Sequence, residues 1–284
     1  MTPAGPGAPP PPAELDALLR LLDDETPEVR ETIGARLASY GGDLSESITD
    51  SSVSLSDNEH RVLSDLLLPS RRATLEQEWQ APSGGAAALR EDWDRFEALL
   101  RAISDYLHDG VTIRQPLSDA LDLLAEEATQ DGVTNSMELR SFLFEQDRLS
   151  GNNDDLLDPR NSDLAWSIAE GKSNPLGLGI IFILVGRRLG LEIEPVNFPG
   201  HFLTRIFQDG YPIIIDCYDH GQVHLQSSLL ESPDLTREFK KVLKQAAHPG
   251  IMLVRLLNNL ENTFLERNRP LDLKLVRKLR ESLT

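Results

Sequence analysis

The sequence predicts an α+β fold in which helices come first and an antiparallel sheet follows them. Apolar residues recur at helical spacing through most of the chain before residue 175. Residues 175–189 are apolar on nearly every side, which is typical of a helix at the centre of a domain. Three short segments after that helix are predicted to be strands: 192–197, 202–207 and 212–218. The last two are joined by Asp209-Gly210, a residue pair that favours a tight hairpin turn.

The N-terminal part is predicted to be a helical extension behind a proline-rich tail. Residues 1–12 are mostly Pro, Gly and Ala with almost nothing to bury, so we expect this tail to be disordered. The extension covers residues 13–85, and its first two helices resemble a single HEAT-like hairpin, with Pro27 at the start of the second helix. The Ser-rich segment 43–58 is predicted to be a loop.

The main domain is predicted to cover residues 86–245, and residues 246–284 are predicted to form a C-terminal helical hairpin. Before the central helix, we expect helices over 86–108, 116–130 and 135–149, because apolar residues in each segment recur at helical spacing.

The composition is globular and strongly acidic. Of 284 residues, 40% are apolar and 26% charged, and 46 acids against 28 bases give a formal charge of −18. This charge repels phosphate backbones, so nucleic acid is not an expected partner. The first residues lack the basic and apolar regions of a signal peptide, and the uncharged stretch Ser173–Gly186 is too short to span a bilayer. We therefore expect a cytoplasmic protein without a membrane partner, and the oligomeric state stays open.

One histidine and one aspartate are predicted to meet across the hairpin. A two-residue turn at Asp209-Gly210 places Leu203 opposite Asp216. His201 lies two residues before Leu203 and therefore on the same face of the sheet as Asp216. A carboxylate that orients an imidazole is half of a nucleophile–His–Asp arrangement, although a structural hydrogen bond explains the same spacing equally well.

The single cysteine, Cys217, alternates to the opposite face, so we expect it to be buried and not to act with this pair. One cysteine excludes an internal disulfide and any site built from several thiolates. No spacing typical of metal ligands or of a phosphate-binding loop is present, so we expect no metal and no cofactor.

Several short motifs together resemble a known family. They are Gly151-Asn152, Asp158-Pro159-Arg160-Asn161-Ser162, Ser173-Asn174-Pro175, Arg188-Leu189-Gly190-Leu191, Pro199-Gly200-His201-Phe202 and Ile215-Asp216. The chain around them, about residues 90–265, resembles the transglutaminase-like superfamily, in the core-2 branch that includes the bacterial SirB-type proteins. The resemblance implies a papain-like core, in which a central helix packs against an antiparallel sheet, with helical extensions at both ends.

The resemblance also implies roles for individual residues. Active members carry a Cys at the start of the central helix, which a His on one strand and an Asp on the next activate. His201 and Asp216 match this His and Asp, whereas Pro175 stands where the Cys would be. The residues implied to line the pocket are Asn161, Asn174, Pro175, Gly200 and Phe202.

The resemblance implies that the protein keeps the pocket, lacks the nucleophile and binds or regulates another protein or peptide. One alternative is a hydrolase or acyl transferase for amide or ester bonds, which would use His201 and Asp216 with Ser173 or an activated water. Ser173 also fits the N-cap of the central helix. A further alternative is a structural adaptor in which the N-terminal helices do the binding.

Overall fold

The computed structural model describes residues 9–284, and these residues divide into two compact units. The smaller unit contains the described residues up to Trp79 together with Asp105–Arg114, and the larger one contains Gln80–Ser104 and Gln115–Thr284. Residues 1–8 of the predicted tail lie outside the described part of the chain. The domain boundaries predicted from the sequence stay predictions. No helix within residues 9–284 is both long and apolar enough to cross a membrane.

The smaller unit is built from helices that share one apolar core. Its helices are α1 (Pro12–Leu19), α2 (Pro27–Ala38), α3 (Ser45–Thr49) and α4 (Asp57–Glu78). The buried core includes Leu15, Leu19, Ile33, Leu37, Leu63 and Leu67. The loop prediction for 43–58 is wrong in part, because α3 lies inside this segment. The Asp43 carboxylate accepts hydrogen bonds from the backbone N–H and the hydroxyl of Ser45, which starts α3.

The larger unit combines the remaining helices with two sheets. Helix α5 (Trp93–Leu107) contributes residues to both units. The other helices are α6 (Leu117–Gln130), α7 (Ser136–Arg140), α8 (Leu164–Glu170), α9 (Pro175–Arg188), α10 (Gln226–Glu231), α11 (Arg237–Leu243), α12 (Pro249–Glu266) and α13 (Pro270–Glu281). The strands are β1 (Ser150–Gly151), β2 (Lys172–Ser173), β3 (Glu194–Val196), β4 (Leu203–Gln208), β5 (Tyr211–Asp216) and β6 (Gln222–Leu225).

Two helices predicted from the sequence are interrupted in the structure. The segment 86–108 begins as a 3₁₀ turn, and α5 starts only at Trp93, where the Asp92 carboxylate accepts the backbone N–H of Arg95. The segment 135–149 is α-helical only to Arg140 and continues as a π-helical turn to Glu145. Local hydrogen bonds, which apolar periodicity does not report, therefore decide where these helices begin and end.

The main sheet is antiparallel and has the strand order β3-β4-β5-β6. The predicted hairpin register is confirmed, since Gln208 lies opposite Tyr211 and Thr204 opposite Ile215. Asp209 and Gly210 have φ angles of 51° and 81°, as a two-residue turn of the I′ class requires. The α+β prediction is confirmed as well.

Helix α9 is the central helix, and it approaches the sheet closely. Every residue from Leu176 to Gly186 is buried. A Cβ atom on Gly179 would lie 2.5 Å from Cδ1 of Phe202 and 3.5 Å from Cγ2 of Thr204. The missing side chain at Gly179 therefore allows α9 to lie directly against the chain segment that carries His201.

We predict that Gly179→Ala lowers the free energy of unfolding by about 1–3 kcal/mol, because the added methyl group overlaps the Phe202 ring in a packed interior. Gly34→Ala in α2 is the control, since its methyl group would meet only the mobile end of Leu66, at 3.0 Å. It should change the free energy of unfolding by less than about 1 kcal/mol, because the higher helix propensity of alanine offsets the tight contact with Leu66. Denaturant titration measures both, and equal losses would contradict this account of Gly179.

Candidate functional site

The side chains of His201 and Asp216 meet at one end of the β4–β5 hairpin. Nε2 of His201 and Oδ2 of Asp216 are 2.6 Å apart. An ionised carboxylate only accepts hydrogen bonds, so Nε2 carries the proton of this bond. In the neutral ring, Nδ1 then keeps a free lone pair, and it makes no hydrogen bond within the described residues. About 30% of the His201 side chain is exposed, so a ligand or water can reach the ring.

The Asp216 carboxylate is held from two sides. Oδ2 accepts from His201, and Oδ1 accepts the backbone N–H groups of Tyr218 and Asp219 at 3.0 and 3.2 Å. Burial raises the pKa of Asp216, but the hydrogen bonds from His201 and the backbone outweigh burial, so the pKa lies below its ordinary value. Asp216 therefore stays ionised and keeps the imidazole in one orientation.

Tyr218 connects this pair to the loop after β1. Its ring meets the His201 ring edge to face, with centroids 6.2 Å apart. Its hydroxyl lies 3.2 Å from the Asn152 carbonyl oxygen and 2.8 Å from Oδ1 of Asn153, so its single proton is shared between these two acceptors. A Cβ atom on Gly151 would lie 2.7 Å from this ring, so glycine is required there. The sequence reasoning missed Tyr218, although an aromatic residue two positions after Asp216 lies on the same face of a continued strand.

Asparagine side chains continue the connection to the start of α9. Nδ2 of Asn152 donates to Oδ1 of Asn161 at 2.7 Å, and the backbone N–H of Asn152 donates to the Ser173 carbonyl at 2.8 Å. Asn174 caps α9, because its Oδ1 accepts the Gly177 N–H at 2.9 Å, and its Nδ2 donates to the Asn161 carbonyl. A chain of hydrogen bonds and one ring contact thus joins His201 to the first turn of α9.

The placement of Ser173 corrects both predictions for this residue. The N-cap is Asn174, so Ser173 does not cap α9. Ser173 is fully buried, and its hydroxyl donates to the Asn161 carbonyl and accepts from the Ser167 hydroxyl, both at 2.9 Å. A hydroxyl that is shielded and already engaged in two hydrogen bonds cannot serve as the nucleophile of the alternative hydrolase.

The predicted pocket residues divide into two groups. Asn161 and Phe202 are almost completely buried, at 2% and 0% exposure, so they lie beneath the surface of the site. Asn174 and Pro175 form the start of α9, with Pro175 as its first residue. Gly200 is exposed beside His201 and has a φ of 73°, a conformation that glycine adopts without strain.

Cys217 lies apart from the pair, within the core. Its side chain is fully buried, and its sulfur lies 3.6 Å from Oγ1 of Thr204. Burial raises the pKa of this thiol from 9.0 to about 12. Within residues 9–284, no group of three or more His, Cys, Asp or Glu side chains is arranged to hold a metal ion.

We predict that Cys217 in the native protein reacts with a soluble disulfide reagent more than about tenfold more slowly than in denaturant at neutral pH, because burial shields the sulfur and lowers its thiolate fraction. Absorbance of the released thiol measures both rates. Native labelling within tenfold of the denatured rate would contradict the buried placement and reopen a role for this thiol.

We predict that Asp216→Asn destabilises the fold by about 1–3 kcal/mol, the cost of weakening the bonds from two backbone donors and an imidazole. The control is Asp219→Asn, which changes the neighbouring exposed carboxylate. Because the folded pKa of Asp216 is depressed, its stabilisation is complete above about pH 4, the ordinary range, and is lost as pH falls through the folded pKa. Urea titrations across this range should show the free energies of unfolding of the wild-type protein and of Asp216→Asn converging towards low pH. A difference between them that widens in acid would contradict the assignment.

Comparison with known proteins identifies the family. A model of the core-2 family of the transglutaminase-like superfamily matches residues 112–258, about half of the chain. A UPF0162 protein of Xylella fastidiosa (strain 9a5c) is 36% identical over 137 residues, which are 45% of this chain and 48% of that protein. A UPF0162 protein of Pseudomonas aeruginosa is 28% identical over 118 residues, 40% of this chain and 43% of that protein.

A eukaryotic protein is also similar. Human F-box only protein 21 is 28% identical over 141 residues, which are 47% of this chain and 21% of that protein. The chain therefore spans about half or less of the length of these relatives. No solved structure matches the chain. The family model matches half of the chain, and the structure has the central helix and antiparallel sheet that this family implies. The chain therefore belongs to the transglutaminase-like superfamily.

Proposed function

We propose that the chain is a transglutaminase-like protein that does not perform thiol chemistry and instead binds or regulates another protein or peptide. The observation that carries this proposal is the first residue of α9, Pro175, which has no nucleophilic atom at the position where a family enzyme would hold its Cys. A thiolate there would benefit from the positive end of the helix dipole. The chain's single cysteine, Cys217, is buried elsewhere and has a raised pKa.

The retained pair suits binding without catalysis. His201 offers a partly exposed ring whose Nδ1 has no partner within the described residues. Asp216 and Tyr218 hold this ring in one orientation, and a fixed ring loses little entropy when a ligand binds. We propose a protein or peptide ligand and a cytoplasmic setting.

The second candidate is a hydrolase in which His201 activates a water molecule. The same free Nδ1 favours it, because a ring oriented by a carboxylate and reachable from solvent is the arrangement of a general base. This candidate needs no protein nucleophile, so the burial of Ser173 does not weigh against it.

We predict no amide hydrolysis and no amine incorporation by the wild-type protein, because a nucleophile–His unit without its nucleophile loses on the order of 10⁶ in rate. Release of a fluorescent amine from peptide amides and incorporation of a labelled amine into glutamine peptides measure the two reactions. Wild-type turnover that His201→Ala abolishes, and that the control His220→Ala leaves unchanged, would overturn the proposal in favour of the activated-water hydrolase.

We also predict that Pro175→Cys creates a thiol that reacts at least tenfold faster than Cys217, since it lies at a helix N-terminus and not in the core. Pro175→Ala is the matched control without a thiol. Alkylation followed by peptide mass mapping distinguishes the two cysteines. Equal protection of both would show that the start of α9 is closed to reagents, which would contradict a ligand site at this place.

A further inference from the structure

One face of α12 lines a groove beside the loop that leads to His201. Ile251, Val254, Arg255 and Asn258 share this face because they are spaced three and four residues apart. The groove has a volume of about 520 Å³. Its other walls include Ala87 from the 3₁₀ turn before α5, and Asn197 and Pro199 from the loop between β3 and His201. Most of this lining is apolar, and Ile251 is 36% exposed.

Arg255 brings a positive charge to the groove without a carboxylate to balance it. Its Nη1 donates to Oδ1 of Asn197 at 2.5 Å and to the Phe198 carbonyl at 2.9 Å. Its guanidinium lies 5.7 Å from the centre of the Phe202 ring. All three partners are neutral, and no carboxylate of the described residues lies within ion-pair distance of Arg255. Burial lowers the pKa of this arginine, and no nearby carboxylate opposes the effect.

His248 also lines the groove and adds a polar atom that has no protein partner in the described part of the chain. Nδ1 of His248, at the first turn of α12, is shielded from solvent and has no hydrogen-bond partner among residues 9–284. The positive charge of Arg90 acts on this histidine, whose pKa is lowered by burial and by that charge. Arg255 is a half-buried cation in a chain whose formal charge is −18. The groove therefore offers one guanidinium, that of Arg255, next to apolar surface.

We propose that this groove binds the free C-terminus of a partner peptide or protein whose last residue is apolar. A C-terminal residue carries a carboxylate and an apolar side chain on the same Cα atom, which matches a guanidinium beside Ile251 and Val254. The remaining N–H groups of Arg255 suit the planar carboxylate, which arginine binds with two parallel hydrogen bonds. The volume suits a short peptide end. Capture of a terminal carboxylate is a known mode of peptide recognition, and here a side chain would perform it.

This inference goes beyond the proposed function, because it concerns residues other than His201 and Asp216. Binding in the groove is measured without any assay of thiol or hydrolytic chemistry. Failure of one proposal therefore leaves the other standing.

The test uses the full chain and a fluorescein-labelled hexapeptide pool, Ser-Gly-Ser-Gly followed by two positions randomised among Val, Leu, Ile, Phe and Met. Fluorescence anisotropy compares this pool as the free acid, as the C-terminal amide, and as an amide with an internal glutamate before the last residue. We expect the free acid to bind about 10- to 100-fold more tightly than either amide, the factor for a lost charge-assisted hydrogen bond. No binding of the free acid, equal binding of the simple amide, or preference for the internal glutamate would each overturn the proposal.

Variants assign the binding to the groove. Arg255→Gln should weaken binding of the free acid by about tenfold or more and remove its advantage over the amide. Because Arg255 also holds the loop before His201, Ile251→Glu is the second variant, and it places a negative charge at an exposed position of the groove. The matched control is Leu265→Glu, a change at a 57% exposed residue of the same helix outside the groove. Retained binding in Ile251→Glu, or equal loss in Leu265→Glu, would contradict the assignment.

Discussion

The close contact of α9 with the segment that begins β4 is the constraint on which the larger unit depends. The helix is buried along eleven consecutive residues, so neighbouring elements must pack against it from all sides. Gly179 sets the closeness of this contact, because its missing side chain makes room for the Phe202 ring. Phe202 follows His201 directly, and the helix contact therefore also positions the candidate site.

A second constraint acts through polar groups at the start of the same helix. Asn174 caps α9 and also bonds to the Asn161 carbonyl, while Asn161 reaches Asn152 through its side chain. Tyr218 joins that loop to His201 through a hydrogen bond and a ring contact. Asn152 and Asn161 are buried, where an unpaired donor or acceptor would carry a desolvation cost, and Asn174 and Tyr218 are half-buried. The network is therefore a reason for the His–Asp pair to keep one orientation.

The two proposed sites share one loop. Asn197 and Phe198 accept hydrogen bonds from Arg255, and His201 follows them by a few residues. Gly200, with its left-handed backbone, lies between Arg255's partners and His201. An occupant of the α12 groove would therefore lie against the segment that carries the imidazole.

The sequence alone determined the features that depend on local pattern. Alternation along the hairpin and the Asp209-Gly210 turn determine the strand register, which places His201 and Asp216 on one face and Cys217 on the other. The all-apolar character of α9 determines that it is central. These inferences succeed because side-chain periodicity and turn conformation are properties of neighbouring residues.

Only the tertiary structure decided which polar groups meet. Ser173 and Asn174 are adjacent, and both residue types suit an N-cap. The Ser173 hydroxyl is instead engaged by the Asn161 carbonyl and the Ser167 hydroxyl, which lie elsewhere in the sequence, so Asn174 is the N-cap. Tyr218 and Asn152 are 66 residues apart. The sequence does not indicate whether Arg255 pairs with a carboxylate. Its neutral partners, Asn197 and Phe198, are set by the packing of α12 beside the loop before His201. Burial and partner choice depend on residues far apart along the chain, so no local pattern reports them.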